Sequence, residues 1–306
     1  MGGVSASAAS PAGKGKLKLL LAIVIVVVVL GGAGAGAYMW YKQQNSPDHI
    51  FKVAVSNLFK TKSVTQTAKS SDVNGTVKYD VANIKDPKIS AAVTVKSSDV
   101  TFDMATYGTL QNSYLKFKSF GNSTLDSYFS DVTNKWVQLR KDGTVPANIN
   151  TNFSDMADPR VFVFGDFIFG NFSSSQQKTL TDFVVSNNIY KYDSKAVTTT
   201  TLDGKKTYVY PITENVSKLK DLNTKAAGYL GLSTADIKTA LASVGGNDSV
   251  KLYVDASTKE FVKVTLTSDG SPVTNTYTDY DSTTLPSEPS ADITWAQLEN
   301  TFGNSL

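Results

Sequence analysis

The stretch Val250-Lys251-Leu252-Tyr253-Val254-Asp255, followed by Ala256-Ser257-Thr258-Lys259 and then by Phe261-Val262-Lys263-Val264-Thr265-Leu266, alternates apolar and polar residues on both sides of a short polar turn. Period-two alternation puts one face of a strand on a core and the other in water, so this stretch reads as an antiparallel hairpin. The same pattern recurs outward in both directions. Towards the C-terminus, Asp269-Gly270 leads into Val273-Thr274-Asn275-Thr276-Tyr277-Thr278-Asp279-Tyr280. Towards the N-terminus, residues 196–202 meet Thr207-Tyr208-Val209-Tyr210 across Asp203-Gly204, a dipeptide that favours a two-residue hairpin turn.

The first half of the chain repeats the signal. Val64-Thr65-Gln66-Thr67-Ala68-Lys69, Gly75-Thr76-Val77-Lys78-Tyr79-Asp80-Val81, Ile89-Ser90-Ala91-Ala92-Val93-Thr94-Val95, Val100-Thr101-Phe102-Asp103-Met104, Tyr114-Leu115-Lys116-Phe117-Lys118 and Trp136-Val137-Gln138-Leu139-Arg140 all read as strands. Runs of this kind at regular spacing predict a large antiparallel sheet or an open barrel. The fold class is mainly β with helices, α+β. Ser46-Pro47-Asp48 opens a helix carrying Ile50, Phe51, Val53, Ala54, Leu58 and Phe59 at helical spacing. A second helix is expected around Thr179, Leu180, Phe183 and Val184. A third is expected to open at Ser233-Thr234-Ala235-Asp236, to carry Ile237, Ala240, Leu241 and Val244, and to stop at Gly245-Gly246.

At the other end of the chain, Leu19-Leu20-Leu21-Ala22-Ile23-Val24-Ile25-Val26-Val27-Val28-Val29-Leu30 continues into glycine and alanine and then Tyr38-Met39-Trp40-Tyr41. About 20 apolar residues span a bilayer. Lys14, Lys16 and Lys18 precede the segment, which places the N-terminus on the cytoplasmic side, and Trp40 and the tyrosines suit the far interface. Leu19, Ile23, Val27, Trp40 and Tyr41 are the expected anchor residues of a single-pass membrane helix. The rival reading is a signal peptide cleaved near Ala37, among small residues, which would release a secreted domain. The organisation is therefore a cytoplasmic tail at 1–16, a transmembrane helix at 17–41, a linker at 42–47, an extracytoplasmic β-rich domain at 48–290, and a tail or short docking helix at 291–306. In that last segment Ile293, Trp295, Leu298 and Phe302 follow helical spacing.

Composition narrows the function. The formal net charge is +3 over 306 residues, but Lys14, Lys16, Lys18 and Lys42 flank the membrane segment; without them the outer domain is close to neutral. A nucleic-acid partner calls for a clustered basic surface, and none is read here. There are no cysteines, so neither disulfides nor thiolate chemistry enters. One histidine, His49, gives no basis for a histidine metal site or a catalytic triad. No Gly-x-Ser-x-Gly elbow or calcium-loop spacing occurs. The chain is read as no enzyme, with no metal and no cofactor. An exported domain without disulfides suits a bacterial cell envelope.

Leu252-Tyr253-Val254-Asp255 with Thr258-Lys259 and Phe261-Val262-Lys263-Val264 resembles a hairpin of the LolA-like carriers, a superfamily that includes LppX-like and LprG-like lipid-binding lipoproteins. Tyr277-Thr278-Asp279-Tyr280 is similar to its next strand, and Leu202-Asp203-Gly204-Lys205-Lys206-Thr207-Tyr208 to its central hairpin. The resemblance covers roughly residues 48–290. It implies an antiparallel half-barrel closed by helices, an apolar cavity between them, and carriage of a lipid or lipoprotein acyl chain without catalysis. The chain departs from that pattern in having no lipobox cysteine, so a protein helix would replace the lipid anchor and a diffusing shuttle role is weakened.

Ligand cavities are lined mainly by apolar and aromatic side chains. The run Val161-Phe162-Val163-Phe164-Gly165-Asp166-Phe167-Ile168-Phe169-Gly170-Asn171-Phe172 is the densest such segment. Phe162, Phe164, Phe167, Phe169 and Phe172 are the expected acyl-chain contacts, with glycines that let the segment bend as a lid. Ile237, Leu241 and Val244 would close the mouth. The alternative for the same residues is an ordinary buried core. Two functions stay open: a membrane-anchored lipid- or lipoprotein-binding module, which requires an apolar cavity, and a structural or interaction ectodomain of the envelope, which requires a filled core.

Overall fold

The computed structural model describes residues 43–96, 101–149, 154–245, 249–268 and 271–302. The proposed membrane segment and its anchor residues Leu19, Ile23, Val27, Trp40 and Tyr41 lie outside the described residues. Among the described residues no helix is long and apolar enough to cross a membrane. Residues from Ile50 onward form one compact unit.

Helix α1 (Pro47–Leu58) begins where the sequence places it, and Ser46 Oγ accepts from the His49 N–H at 3.3 Å. Its face of Ile50, Phe51, Ala54, Val55 and Leu58 is buried. Five strands follow: β1 (Ser63–Lys69), β2 (Val73–Asp80), β3 (Lys88–Lys96), β4 (Thr101–Gly108) and β5 (Ser113–Ser119). A short helix α2 (Ser123–Tyr128) leads to β6 (Trp136–Arg140). The middle holds α3 (Pro159–Val163), α4 (Ser174–Ser186) and β7 (Tyr190–Lys191). The hairpin β8 (Thr198–Leu202) and β9 (Lys205–Glu214) comes next, then α5 (Val216–Tyr229) and α6 (Lys238–Ser243). The chain closes with β10 (Ser249–Asp255), β11 (Phe261–Ser268), β12 (Ser271–Thr278) and α7 (Trp295–Phe302).

All twelve strands join one antiparallel sheet in the order β6-β5-β4-β3-β2-β1-β12-β11-β10-β9-β7, with β8 also on β9. The order is that of a meander in two halves, joined where the first strand meets the last. The sheet is open, since β6 and the β7–β8 side are separate edges. This is the expected α+β class with an open antiparallel sheet. At the β8–β9 turn, Leu202 pairs with Lys205, and Asp203 and Gly204 both have positive φ, 49° and 76°. That conformation matches the twist of the flanking strands.

Alternation along each strand sorts the two faces. Val77 and Tyr79 of β2, Ile89 and Ala91 of β3, Tyr210 and Ile212 of β9, Leu252 and Val254 of β10 and Phe261 and Val264 of β11 point inward. They meet α1, α4, α5 and α6 in the larger of two apolar clusters. A smaller cluster joins Leu115, Phe117, Val137 and Leu139 to Trp295 and Leu298 of α7. The residues before α7 cross the outer face of the sheet, Ile293 then bridges to Val137 on edge strand β6, and α7 packs on the inner face. The tail thus covers one of the two edges, which blunts the row of unpaired backbone groups there.

The helices depart from the sequence reading at two places. The helix expected to open at Ser233 begins only at Lys238. Asp236 turns back to accept from Ser233 N–H and Oγ–H, both at 2.7 Å, so the Ser-x-x-Asp stretch closes a local turn instead. Ile237 is consequently the N-cap and Val244 the C-cap of α6. Helix α5 carries no expectation at all, because a buried polar residue, Asn223, sits in the middle of its apolar face of Leu219, Leu222, Ala226 and Ala227.

The aromatic layer as a candidate functional site

The aromatic run is not one element. Asp158 caps the five-residue helix α3 by accepting from Arg160 N–H at 2.9 Å, with Pro159 in the first turn. The helix ends at Phe164, and the chain then runs irregularly to Ser173, where α4 starts with a capping box. This irregular segment lies between the inner face of the sheet and the helices. Gly165 makes its bend at φ 139°, a conformation open only to glycine.

All eight residues expected to contact a ligand come together in the larger cluster. Phe164, Phe169, Phe172, Ile237 and Val244 are buried, and Phe162, Phe167 and Leu241 are partly buried against them. The rings pack in pairs. Phe167 stacks on Tyr190 at 5.7 Å between centroids, Phe169 lies 5.7 Å from Tyr79 and 5.5 Å from Tyr277, and Phe172 meets Phe59 and Tyr229 edge-on. These rings pack against one another and against the sheet, in the layer between sheet and helices. The physical reason is the segment's irregular backbone, which aims successive phenyl groups at the sheet, at α1 and at α5 together, where a helix would present one stripe.

Polar pins hold the segment. Asn223, with no exposed surface, accepts from Gly165 N–H at 2.9 Å and donates to the Gly165 carbonyl at 2.9 Å. The Tyr190 hydroxyl donates to the Asp166 carbonyl, and Asp166 Oδ1 accepts from Gly245 N–H at 3.0 Å. The start of the segment is tied to the sheet edge. Arg140 of β6, 2% exposed, donates from Nη2 to Asp158 Oδ2 at 2.5 Å and from Nη1 to the Thr109 carbonyl at 3.3 Å. Arg160 donates to the same carboxylate at 2.6 Å and reaches Asp236 Oδ1 at 3.7 Å. Burial alone would raise the Asp158 carboxyl, but hydrogen bonds from Arg160 and the charges of Arg140 and Arg160 outweigh it and hold the group below the usual carboxylate range.

The layer also holds four buried phenols. Burial pushes the hydroxyls of Tyr79, Tyr190, Tyr277 and Tyr280 upward, with smaller contributions from neighbouring charges such as Asp166 beside Tyr277. They remain neutral donors at any physiological pH. Tyr79 donates to Gln66 and Tyr280 to the Phe261 carbonyl. Among the described residues no group of three or more acidic or histidine side chains is placed to hold a metal. What the arrangement offers is an apolar, aromatic interior with a few neutral hydroxyls at its margin.

The ion pairs at Asp158 and the clamp at Asn223 are outside the residues singled out from sequence. Asp158-Pro159 is a helix-start signal legible in principle. The buried Asn223 leaves no local mark, because its partner Gly165 is 58 residues away.

Sequence comparison is silent: no protein-family model matches the chain, and no curated protein matches it. Solved structures to which the chain is similar include LprF from Mycobacterium bovis, at 10% identity and a TM-score of 0.47, over 79% of this chain and 96% of that one. LppX from Mycobacterium tuberculosis shows 9% identity and a TM-score of 0.36, over 78% and 98%. The LolA superfamily protein NE2245 from Nitrosomonas europaea shows 10% identity and a TM-score of 0.24, over 79% and 95%.

Proposed function

We propose that this chain is a membrane-tethered, extracytoplasmic binding module that takes an acyl chain of a lipid or lipoprotein into the interior between sheet and helices, without catalysis. The observation that carries the reading is the occupant of that interior. It is an irregular aromatic segment, Phe164 to Phe172, where a self-contained domain would place regular elements. Moving the segment aside vacates an apolar slot between two rigid layers. A methylene chain entering the slot covers the apolar walls that the phenyl rings left, which offsets part of the hydrophobic cost of displacing the rings. The polar pins add about 1 kcal/mol for each ordinary hydrogen bond lost.

The tether follows from residues 17–41, with the N-terminus cytoplasmic. It keeps the module at the membrane surface, where an acyl chain can transfer without crossing bulk water. A second reading, an interaction ectodomain that uses its surface alone, draws on the packed state of the same rings. Both readings meet one experiment on the full chain in its membrane. Cells are fed a diazirine-bearing fatty acid, irradiated, and the cross-linked peptides mapped. Cross-links on residues 161–172 and on the strands that carry Tyr79 and Tyr277 are expected. Cross-links confined to residues 17–41 would leave the surface reading standing.

A further inference from the structure

A second site lies on the opposite face of the sheet, independent of the aromatic layer. The pairing of β2 to β6 aligns Thr76, Ala92, Ala105, Lys116 and Trp136 in one transverse row. In the adjacent row Lys78, Ser90 and Tyr107 stand side by side. Large residues at the flanks and small ones in the middle make a trough. Residues 284–292 cross above it as an extended strap, pinned at three points. Lys78 Nζ donates to the Thr284 carbonyl at 3.3 Å, and Glu288 accepts from Asn112 Nδ2 at 2.9 Å and from the Tyr114 hydroxyl at 3.2 Å. Trp136 N–H donates to Asp292 Oδ2 at 2.8 Å. Strap and trough enclose a cleft of about 950 Å³.

The chemistry of the cleft is mixed. At one end the Lys116 ammonium lies 4.6 Å from the centre of the Trp136 ring, and Lys118 stands exposed in the same lining. Among the described residues neither lysine is in an ion pair. The Glu288 and Asp292 carboxylates also line the cleft, alongside the hydroxyls of Ser90 and Thr76; Asp292 lies beside Trp136, from whose backbone N–H it accepts. An alkyl chain would meet Ala92, Ala105, Leu285 and Pro286, but it would have to desolvate the lysines and carboxylates of the same lining with no polar group of its own to pair them. A lone inorganic anion would fill little of the volume and would face the carboxylates. A polyol suits this mixed lining: its hydroxyls donate to Glu288 and Asp292, and an acidic substituent meets Lys116 and Lys118 beside an indole against which the C–H face of a sugar ring can lie. We propose that this cleft binds an acidic saccharide.

Full-length protein in phosphatidylcholine nanodiscs is titrated calorimetrically with a hexamer of α-1,4-linked galacturonic acid, with maltohexaose and inorganic phosphate as comparators. Saturable binding of the acidic hexamer is expected, about tenfold or more tighter than that of either comparator and weakening with salt. Lys116→Gln combined with Lys118→Gln is expected to weaken it about tenfold with the melting temperature unchanged. The two lysines form no ion pair whose loss would unfold the chain, so the variant reports on binding. The proposal is overturned by absent binding at millimolar hexamer, by equal affinity of the double variant and the parent, or by phosphate binding as tightly as the hexamer.

Discussion

Asn223 holds Gly165 by both backbone groups, its amide accepting from the N–H and donating to the carbonyl, each at 2.9 Å and with no solvent contact at Asn223. A side chain on α5 thereby completes the hydrogen bonding of an irregular turn that no strand or helix serves. Asn223→Ala leaves two buried backbone groups unpaired, each costing about 1–3 kcal/mol. A loss of about 2–4 kcal/mol in urea unfolding is expected, together with faster hydrogen exchange across residues 164–170. A variant with the parent's stability would show that the clamp contributes nothing.

The Arg140–Asp158–Arg160 cluster sets an acid limit on stability. The Asp158 carboxyl is held below its ordinary value in the folded chain, so on acidification the unfolded chain takes up that proton first. Its contribution is complete above about pH 4 and is lost as pH falls through the folded value. In Asp158→Asn the acid side of the stability profile should flatten. The same change strands a buried Arg140, and about 3–5 kcal/mol is expected to disappear at neutral pH. Chemical denaturation between pH 3 and pH 7 would read both effects.

Gly108, in the last position of β4, marks a close approach. A Cβ there would stand 1.8 Å from the carbonyl oxygen of buried Ala157, next to the cap residue Asp158. Relief requires the backbone ahead of α3 to move. Gly108→Ala is expected to cost about 1–3 kcal/mol, as overpacking does, whereas the same change at Gly204 meets no neighbour and is penalised only through its positive φ.

Phe169 distinguishes a core residue from one that a ligand can replace. Phe169→Ala removes a ring that contacts both Tyr79 and Tyr277, and should cost about 3–5 kcal/mol. If the layer accepts acyl chains, added palmitate should raise the melting temperature of this variant more than that of the parent, because the vacated volume is already open. Equal responses would count against the layer as a binding site.

The sheet was largely legible in the sequence because its signal is local. Each strand of β2, β5, β6, β10 and β11 carries period-two alternation, and Asp203-Gly204 carries its own turn chemistry. The aromatic residues stand out in the sequence as one group, and the structure assembles them; whether they form a wall or a filling depends on backbone direction, which alternation does not encode. Asn223 was illegible for the same reason that it matters: a buried amide interrupts the apolar stripe of α5, and its justification is Gly165, distant in sequence. The strap at 284–292 has neither period nor caps, and only its contacts with Lys78, Asn112, Tyr114 and Trp136 reveal what it does.

On the proposed function, the interior exchanges its aromatic segment for an acyl chain. The most direct test is native mass spectrometry of residues 43–306, exported and purified without detergent, followed by lipid extraction. A stoichiometric lipid adduct, lost when Phe164 and Phe167 are both changed to Ser in a domain that still unfolds cooperatively, is the expected result. A bare mass in the folded parent, unchanged after incubation with native lipids, would contradict the account and leave a domain that acts through its surface.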